Sequence, residues 1–390
     1  MFNINLLKRR RFGKKEREYK ATVDKTGEYS MYFKNPLGGP WVQRFEEELA
    51  KYHNMKYAVA CSNGTTALQL ALECVLIEKY GADYRKNAFH PKICTTPYSF
   101  IATASAILEA GAEPVFIDVD PVTGTIPADR YRGRDIPRDC QIILPVHLLG
   151  VPADMRSISE SQSWDYIIED NAQGIGATNN GRLCGTFGDL STYSFQYTKT
   201  ITTDGEGGAV LTDNTAFHEM LLQLRSHGSQ YKDSPFLTHN FRMTETQAAF
   251  GVAQLNKLGR FLNTQSVNAR WIRSHLPSGL EAPVIKEWHQ PSYFLIPLIF
   301  NERDAGMSRG EFIYRCMKKG VDQGVPGASV GLGYQTPLYD KPLLKPYKPA
   351  EPLLNVESLM QSAVWLDLHR WRTLDEVKQE MEIIKEILER

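Results

Sequence analysis

The sequence predicts an α/β fold with a mostly parallel central sheet flanked by helices, followed by a smaller α+β unit. Two observations carry that expectation. Through the middle of the chain, brief apolar runs alternate with helical patterns, as in buried parallel strands joined by helices. After about residue 265 that alternation gives way to a different arrangement of strand and helix. A chain of 390 residues is also long for one ordinary core. The expected organisation is an N-terminal arm over 1–35, a large domain over 36–265 and a small domain over 266–390.

In chain order, a helix over 41–53 places Phe45, Leu49 and Tyr52 on one face. A strand over 57–60 and an Ala/Leu-rich helix from Thr65 onward come next. Further strands are expected at 93–96, 114–117, 142–146, 166–168 and 191–195, all short and apolar. In the small domain, 293–300 reads as a strand, and Ser308 with Glu311 as a capping box opening a helix that stops at Gly320. Thr373 and Glu376 form a second box, before a helix with Leu374, Val377, Met381, Ile384 and Leu388 along one stripe. The segment 324–352, dense in Gly, Pro and Tyr, is expected to be an irregular loop over the surface or the active site.

Charge and cysteine content narrow the function classes. Lys and Arg total 45, as do Asp and Glu, so no net field favours a polyanionic partner and no nucleic acid is expected. The basic run Lys8-Arg9-Arg10-Arg11 with Lys14-Lys15 fits either a localisation patch or a solvated arm, and the arm is the commoner case. No stretch has the length of a membrane span and the N-terminus is too charged for a secretory signal, so a cytoplasmic protein without a membrane partner is expected. Cys61, Cys74, Cys94, Cys140, Cys184 and Cys316 are scattered without a CxxC pair, which disfavours a metal site and suits small buried hydrophobes.

Three motifs carry chemistry. Ser62-Asn63-Gly64-Thr65-Thr66 lies between a strand and a helix, where free amides, the helix dipole and hydroxyls suit a phosphate; ordinary capping is the plain alternative. Glu169-Asp170 closes an apolar strand, at the edge where doubly wound sheets border their ligand crevice, though a surface acid would look the same. Asp118 and Asp120 leave a similar strand, with a turn role adequate for them. Lys199 sits on a loop between a strand and the turn Gly205-Glu206-Gly207-Gly208, placed for Schiff-base chemistry or simply solvated. Together they supply what a pyridoxal-phosphate (PLP) enzyme needs: a phosphate site, an acid for the pyridine nitrogen and a reactive lysine.

Their order and contexts match a family. From about Gly38 to the C-terminus the chain resembles the DegT/DnrJ/EryC1/StrS group of fold-type I PLP-dependent transferases, chiefly sugar aminotransferases. The resemblance rests on Asn63-Gly64-Thr65-Thr66-Ala67-Leu68, Pro97 to Thr103, Gly111 to Asp118, Glu169-Asp170-Asn171-Ala172-Gln173, Tyr193 to Lys199, and Asn240-Phe241-Arg242-Met243. It implies that Lys199 carries PLP covalently and shuttles protons, while Asp170 pairs with the ring nitrogen. It further implies that Gly64, Thr65 and Ser194 hold the phosphate, Phe100 lies on the ring face, and Gln173 approaches the ring hydroxyl. Asn240 is implied to reach the phosphate of the neighbouring subunit's cofactor, hence a homodimer with shared active sites. His227, Arg242, His289 and Tyr334 lie near motifs that face substrate in the family.

The resemblance also bears on the reaction. Members that remove the sugar 3-hydroxyl have histidine in place of the lysine, so Lys199 implies transamination, with glutamate the expected donor and a nucleotide-linked keto-deoxysugar the acceptor. The residues after Lys199 lean toward the branch acting on 4-keto sugars. A modified nucleoside or cyclitol ketone as acceptor, and a non-catalytic regulatory protein, are the alternatives. Three features depart from the family pattern: the long polar connection over 73–91, the extra Asp204, and Asn171 where alanine is common.

Overall fold

The structure is a computed structural model that describes residues 12–86, 89–127, 136–161, 164–228, 234–319, 330–331, 333–366 and 372–389. The first half comprises α1 (Lys14–Thr26), α2 (Pro40–His53), β1 (Tyr57–Cys61), α3 (Gly64–Tyr80), β2 (Lys92–Thr95), α4 (Ile101–Glu109), β3 (Glu113–Phe116), β4 (Ile142–Leu144), α5 (Met155–Glu160) and β5 (Tyr166–Asp170). Then come β6 (Thr178–Asn179), β7 (Arg182–Leu183), β8 (Leu190–Ser194), β9 (Gly208–Thr212), α6 (Thr215–Arg225), α7 (Glu245–Leu255) and α8 (Leu258–Ser274). The remainder holds β10 (Leu280–Glu281), β11 (His289–Gln290), β12 (Ile296–Phe300), α9 (Glu302–Ala305), α10 (Arg309–Lys318), β13 (Val330–Gly331), α11 (Leu354–Ser362), β14 (Ala363–Leu366) and α12 (Leu374–Leu388).

Seven strands in the order β1-β9-β8-β5-β4-β2-β3 form the central sheet. The β8-β5-β4-β2-β3 run is parallel, and β9 is the strand that runs against its neighbours β1 and β8. Buried apolar strands covered on both faces are what such a sheet requires, and β1, β4 and β9 are buried almost throughout. An antiparallel sheet, β10-β12-β14-β13, organises the C-terminal part, and β11-β6-β7 forms a small third sheet. Helix α8 spans the expected boundary at 265/266. Its Leu258 and Phe261 pack with Phe45 and Phe195 of the first core, and its Ala269 and Ile272 with Ile296 and Phe312 of the second.

Several local expectations are modified. The strand expected from Tyr293 begins only at Ile296, because Tyr293 has φ 53° and the amides of Ser292 and Leu295 bond to Gly150 and Leu149 instead of a sheet partner. Ser308 caps α10 by accepting from the Glu311 amide, but the Glu311 carboxylate turns to Arg315. Glu302 instead serves the next amide along, accepting from Arg309 N at 2.9 Å. The stop at Gly320 lies outside the described residues. The Thr373 box is complete, with Thr373 N donating to Glu376 at 2.8 Å and Glu376 N to Thr373 Oγ1 at 3.4 Å. Asp120 makes the expected turn, accepting from the Val122 and Thr123 amides. Asp118 does something else: its carboxylate accepts from the amides of Asn355 and Val356 and so caps α11.

Lys8 to Arg11 lie outside the described residues. Of the expected arm, residues 14–26 form α1, which packs on α7 and buries Glu16 and Val23. Within the loop at 324–352, residues 338–340 and 342–347 make two 3-10 turns. All six cysteines are buried, and among the described residues no helix is long and apolar enough to cross a membrane.

Candidate active site

The candidate residues lie at the C-terminal edge of the parallel strands and where β1 passes into α3. Asn63 closes the turn between them: its Oδ1 accepts from the Thr66 amide at 2.9 Å and its carbonyl from the Thr66 hydroxyl at 2.9 Å. An α-helix leaves its first amides without intrahelical acceptors, so those of Gly64 and Thr65 face outward at the positive end of a 17-residue helix. Gly64 is required by close approach. A Cβ there would lie 2.6 Å from Ser194 Cβ and 3.0 Å from Ser194 Oγ. The start of α3 and the end of β8 are thereby packed against each other, with the amides of Gly64 and Thr65 and the Ser194 hydroxyl on the two sides of the contact.

Asp170 ends β5 and is almost fully buried. Its Oδ2 accepts from the Thr103 hydroxyl at 2.9 Å, and its Oδ1 from the Ala172 amide at 3.1 Å. Burial pushes its pKa above the ordinary carboxylate value, although Ala172, Thr103 and the charge of Lys199 pull the other way. Successive residues of a strand face opposite sides of the sheet, so Glu169 points away into a second buried cluster. There it accepts from His147 Nε2 at 2.9 Å and from the amides of Gly185, Phe187 and Gly188 at 2.7, 2.6 and 2.7 Å. His147 Nδ1 lies 3.1 Å from the Ala153 amide, which can only donate, so the ring proton is assigned to Nε2 and directed at Glu169. The His147 amide bonds to the Asp170 carbonyl. The sequence pairs Glu169 with Asp170 at the strand exit, whereas the structure turns only Asp170 to that side; His147 had no role, and the available signal was a polar residue three positions after the apolar strand β4.

Lys199 sits in the connection from β8 to β9. That loop holds itself together with hydroxyls: Thr198 donates to Gln196 Oε1, Thr202 to the Phe195 carbonyl and Thr203 to the Glu206 carbonyl. Backbone bonds from Phe195 to Gly207 and from Tyr197 to Gly205 close it. The extra Asp204 adopts φ 62° and pairs with Lys20 of α1 at 2.5 Å. Lys199 Nζ lies over the Phe294 ring, 4.8 Å from its centroid, and its charge acts on both Asp170 and Glu206.

Phe100, at the N-terminus of α4, leaves 59% of its surface exposed. Gln173 is fixed from both ends, its Oε1 accepting from the Leu149 amide at 2.7 Å and its Nε2 reaching the Tyr334 hydroxyl at 3.5 Å. Tyr334 stands edge-on between Tyr98 and Trp365, with centroids at 5.4 and 5.1 Å. Asn240 Oδ1 accepts from Arg242 Nε at 2.7 Å, and Arg242 bridges to Cys61 beside the phosphate-type turn. His227 is an exposed turn residue with φ 55°, its amide bonded to the His239 carbonyl. His289 is buried in the β11-β6-β7 sheet, its Nε2 3.1 Å from Asn179 Nδ2. The structure thus brings Lys199 over Phe294, Gly64 beside Ser194, and Tyr334 to Gln173. For His227 and His289, no described contact is with any of these.

The model of the DegT/DnrJ/EryC1/StrS aminotransferase family matches residues 20–385. An uncharacterized protein of Methanocaldococcus jannaschii is 30% identical over 370 residues, covering 90% of each chain. GDP-perosamine synthase of Vibrio cholerae is 32% identical over 272 residues, 68% of this chain and 70% of that one. Among solved structures, the aminotransferase from Psychrobacter cryohalolentis superposes with a TM-score of 0.81 at 26% identity, covering 96% of this chain and 97% of the other.

Proposed function

The chain belongs to the DegT/DnrJ/EryC1/StrS aminotransferase family, and from that premise we propose that it uses PLP to move an amino group from an amino acid onto a nucleotide-linked keto-deoxysugar. Glutamate is the proposed donor and a 4-keto sugar the proposed acceptor. One observation carries the reading: the carboxyl of Asp170, buried at the end of β5, is held by the Thr103 hydroxyl at 2.9 Å and the Ala172 amide at 3.1 Å. The residues fit the cofactor. The space beside Ser194 that a Cβ at Gly64 would fill suits its phosphate, and a buried acid with two donors already on it suits the ring nitrogen.

When bound, PLP supplies an electron-withdrawing ring that spreads the charge developing on the amino donor. In this reading the amides of Gly64 and Thr65 and the Ser194 hydroxyl hold the phosphate, and Asp170 holds positive charge on the ring nitrogen. Phe100 covers the ring face and excludes water, while Gln173 orients toward the ring hydroxyl. Lys199 Nζ would hold the cofactor, and its free amine would take a proton from the donor and return one to the acceptor. Asn240 reaches across a homodimer to the neighbouring site, and His227, Arg242, His289 and Tyr334 are proposed for the substrate.

The test is spectroscopic. With PLP, the protein should gain a visible absorbance band that Lys199→Ala lacks, and glutamate should convert the bound form to pyridoxamine phosphate. A band that survives Lys199→Ala contradicts the role of the lysine. Keto compounds screened against the pyridoxamine form separate 4-keto sugar nucleotides from 3-keto sugars, nucleosides and cyclitols. A protein inert to every amino donor would instead favour the regulatory alternative.

A further inference from the structure

We infer that Phe294 is a positioning residue for the amine of Lys199, contributed to the crevice by the chain just ahead of β12. The inference rests on the reading of Lys199 as the reactive amine. Phe294 presents its ring to Lys199 Nζ at 4.8 Å from the centroid, within the range where an ammonium is attracted to a π face. The ring itself is 7% exposed and therefore held in place.

The segment that carries it is built under constraint. Ser292 N donates to the Gly150 carbonyl at 2.9 Å and Leu295 N to the Leu149 carbonyl at 3.2 Å, so residues 292–295 are clamped against the turn at 148–150. Tyr293 and Leu149 both adopt positive φ, 53° and 56°, a costly conformation for side chains of that bulk. Gly150 is at φ 83°, and a Cβ there would lie 2.6 Å from the Phe294 amide nitrogen. Strain on both sides of one contact persists where the surroundings impose it, and here it fixes the backbone bearing the ring. The same turn reaches the other side of the crevice, because the Leu149 amide donates to Gln173 Oε1 at 2.7 Å. One rigid collar therefore sets Gln173 and the platform under Lys199 together.

A π face stabilises the ammonium form, so removing it lowers the pKa of the amine. Asp170 from β5 and Glu206 from the glycine turn also act on Lys199 and also favour the ammonium; both stay in every variant. The experiment follows labelling of Lys199 by trinitrobenzenesulfonate against pH, in the full chain without PLP, read by mass spectrometry of the Lys199 peptide. In Phe294→Leu the midpoint should fall, making labelling near neutral pH about three- to ten-fold faster, while Phe294→Tyr stays within about two-fold of the wild type. A purely structural role would change the rate at all pH values and leave the midpoint in place, which overturns the inference. Phe294→Met, of similar bulk, answers the same question should the leucine variant not fold. Borohydride reduction of PLP-loaded wild type tells the two failures apart. Cofactor found on Lys199 with an unmoved midpoint sinks the role of Phe294 alone; no cofactor on Lys199 sinks the functional reading and this role with it.

Discussion

Among the described residues the hydroxyl of Thr103 is the side-chain donor on Asp170, and it is itself oriented by the Ser99 hydroxyl at 2.8 Å. A hydrogen bond to a charged group contributes about 1.5–3 kcal/mol. Thr103→Val keeps the shape and deletes that bond, leaving a buried carboxyl with the Ala172 amide as its described donor. The ionised form of Asp170 then becomes harder to hold. PLP affinity should fall roughly ten-fold or more on the scale of 1.4 kcal/mol per decade, as read by titrating the visible band. Affinity equal to wild type would mean that Asp170 does not act through its ionised form. Gly64, Asp170 and Lys199 were legible in the sequence because each marks a strand exit by a change of residue type. Phe294 was not: its role comes from a fold-back onto 148–150, and no spacing along the chain encodes which apolar residue ends beside a lysine 95 positions earlier.

At the scale of elements, capping was legible where both partners are close in sequence and lost where they are not. Thr373 and Glu376 make their box within one turn of helix. Asp118 and α11 are separated by more than 230 residues, so the same chemistry looked like a local turn. Losing an N-cap costs about 0.5–2 kcal/mol, and Asp118 serves two amides, at 3.2 and 3.0 Å. Asp118→Ala should therefore destabilise the protein by about 1–2 kcal/mol in denaturant titration, while Asp120→Ala, whose contacts are confined to its own turn, should cost less. Equal costs for the two would remove the long-range cap from the account. The antiparallel placement of β9 was equally hidden. Its run Gly208 to Thr212 is short and apolar like the parallel strands, and only the tight return after Lys199 reverses its direction.

Across the whole molecule, two buried carboxylates tie distant elements together and set how the fold responds to acid. Glu16 joins α1 to α7 and α8, accepting from Gly13 N at 2.9 Å, from Gln254 Nε2 at 2.7 Å and from Lys257. Glu169 joins β5 to His147 and to the 185–188 turn. Burial alone would push both pKa values up, yet the hydrogen bonds, joined at Glu169 by the charge of His147, outweigh it and hold both below the ordinary carboxylate value. A carboxyl depressed in the folded state contributes stability that is complete above its unfolded pKa and is lost as pH falls through the folded value. Asp170 works in the opposite sense. Its raised pKa means a contribution present at low pH that is lost as pH rises, so it offsets part of the acid effect. Glu46, Asp189, Glu206 and Glu245 are raised like Asp170, Asp139 is lowered, and buried His53 must take up charge as pH falls, so the part owed to Glu16 and Glu169 is the loss that sets in below about pH 4.5. The share of the calorimetric midpoint owed to Glu16 and Glu169 should therefore be complete down to about pH 5 and decline below it, each kcal/mol lost lowering the midpoint by roughly 1 °C for a chain of this length. Glu16→Gln should flatten that decline, because its amide keeps an acceptor for Gln254 but has no charge to lose. A decline in Glu16→Gln as steep as that of the wild type would show that the charge of Glu16 does not bear on acid stability, and that α1 is held to α7 and α8 without it.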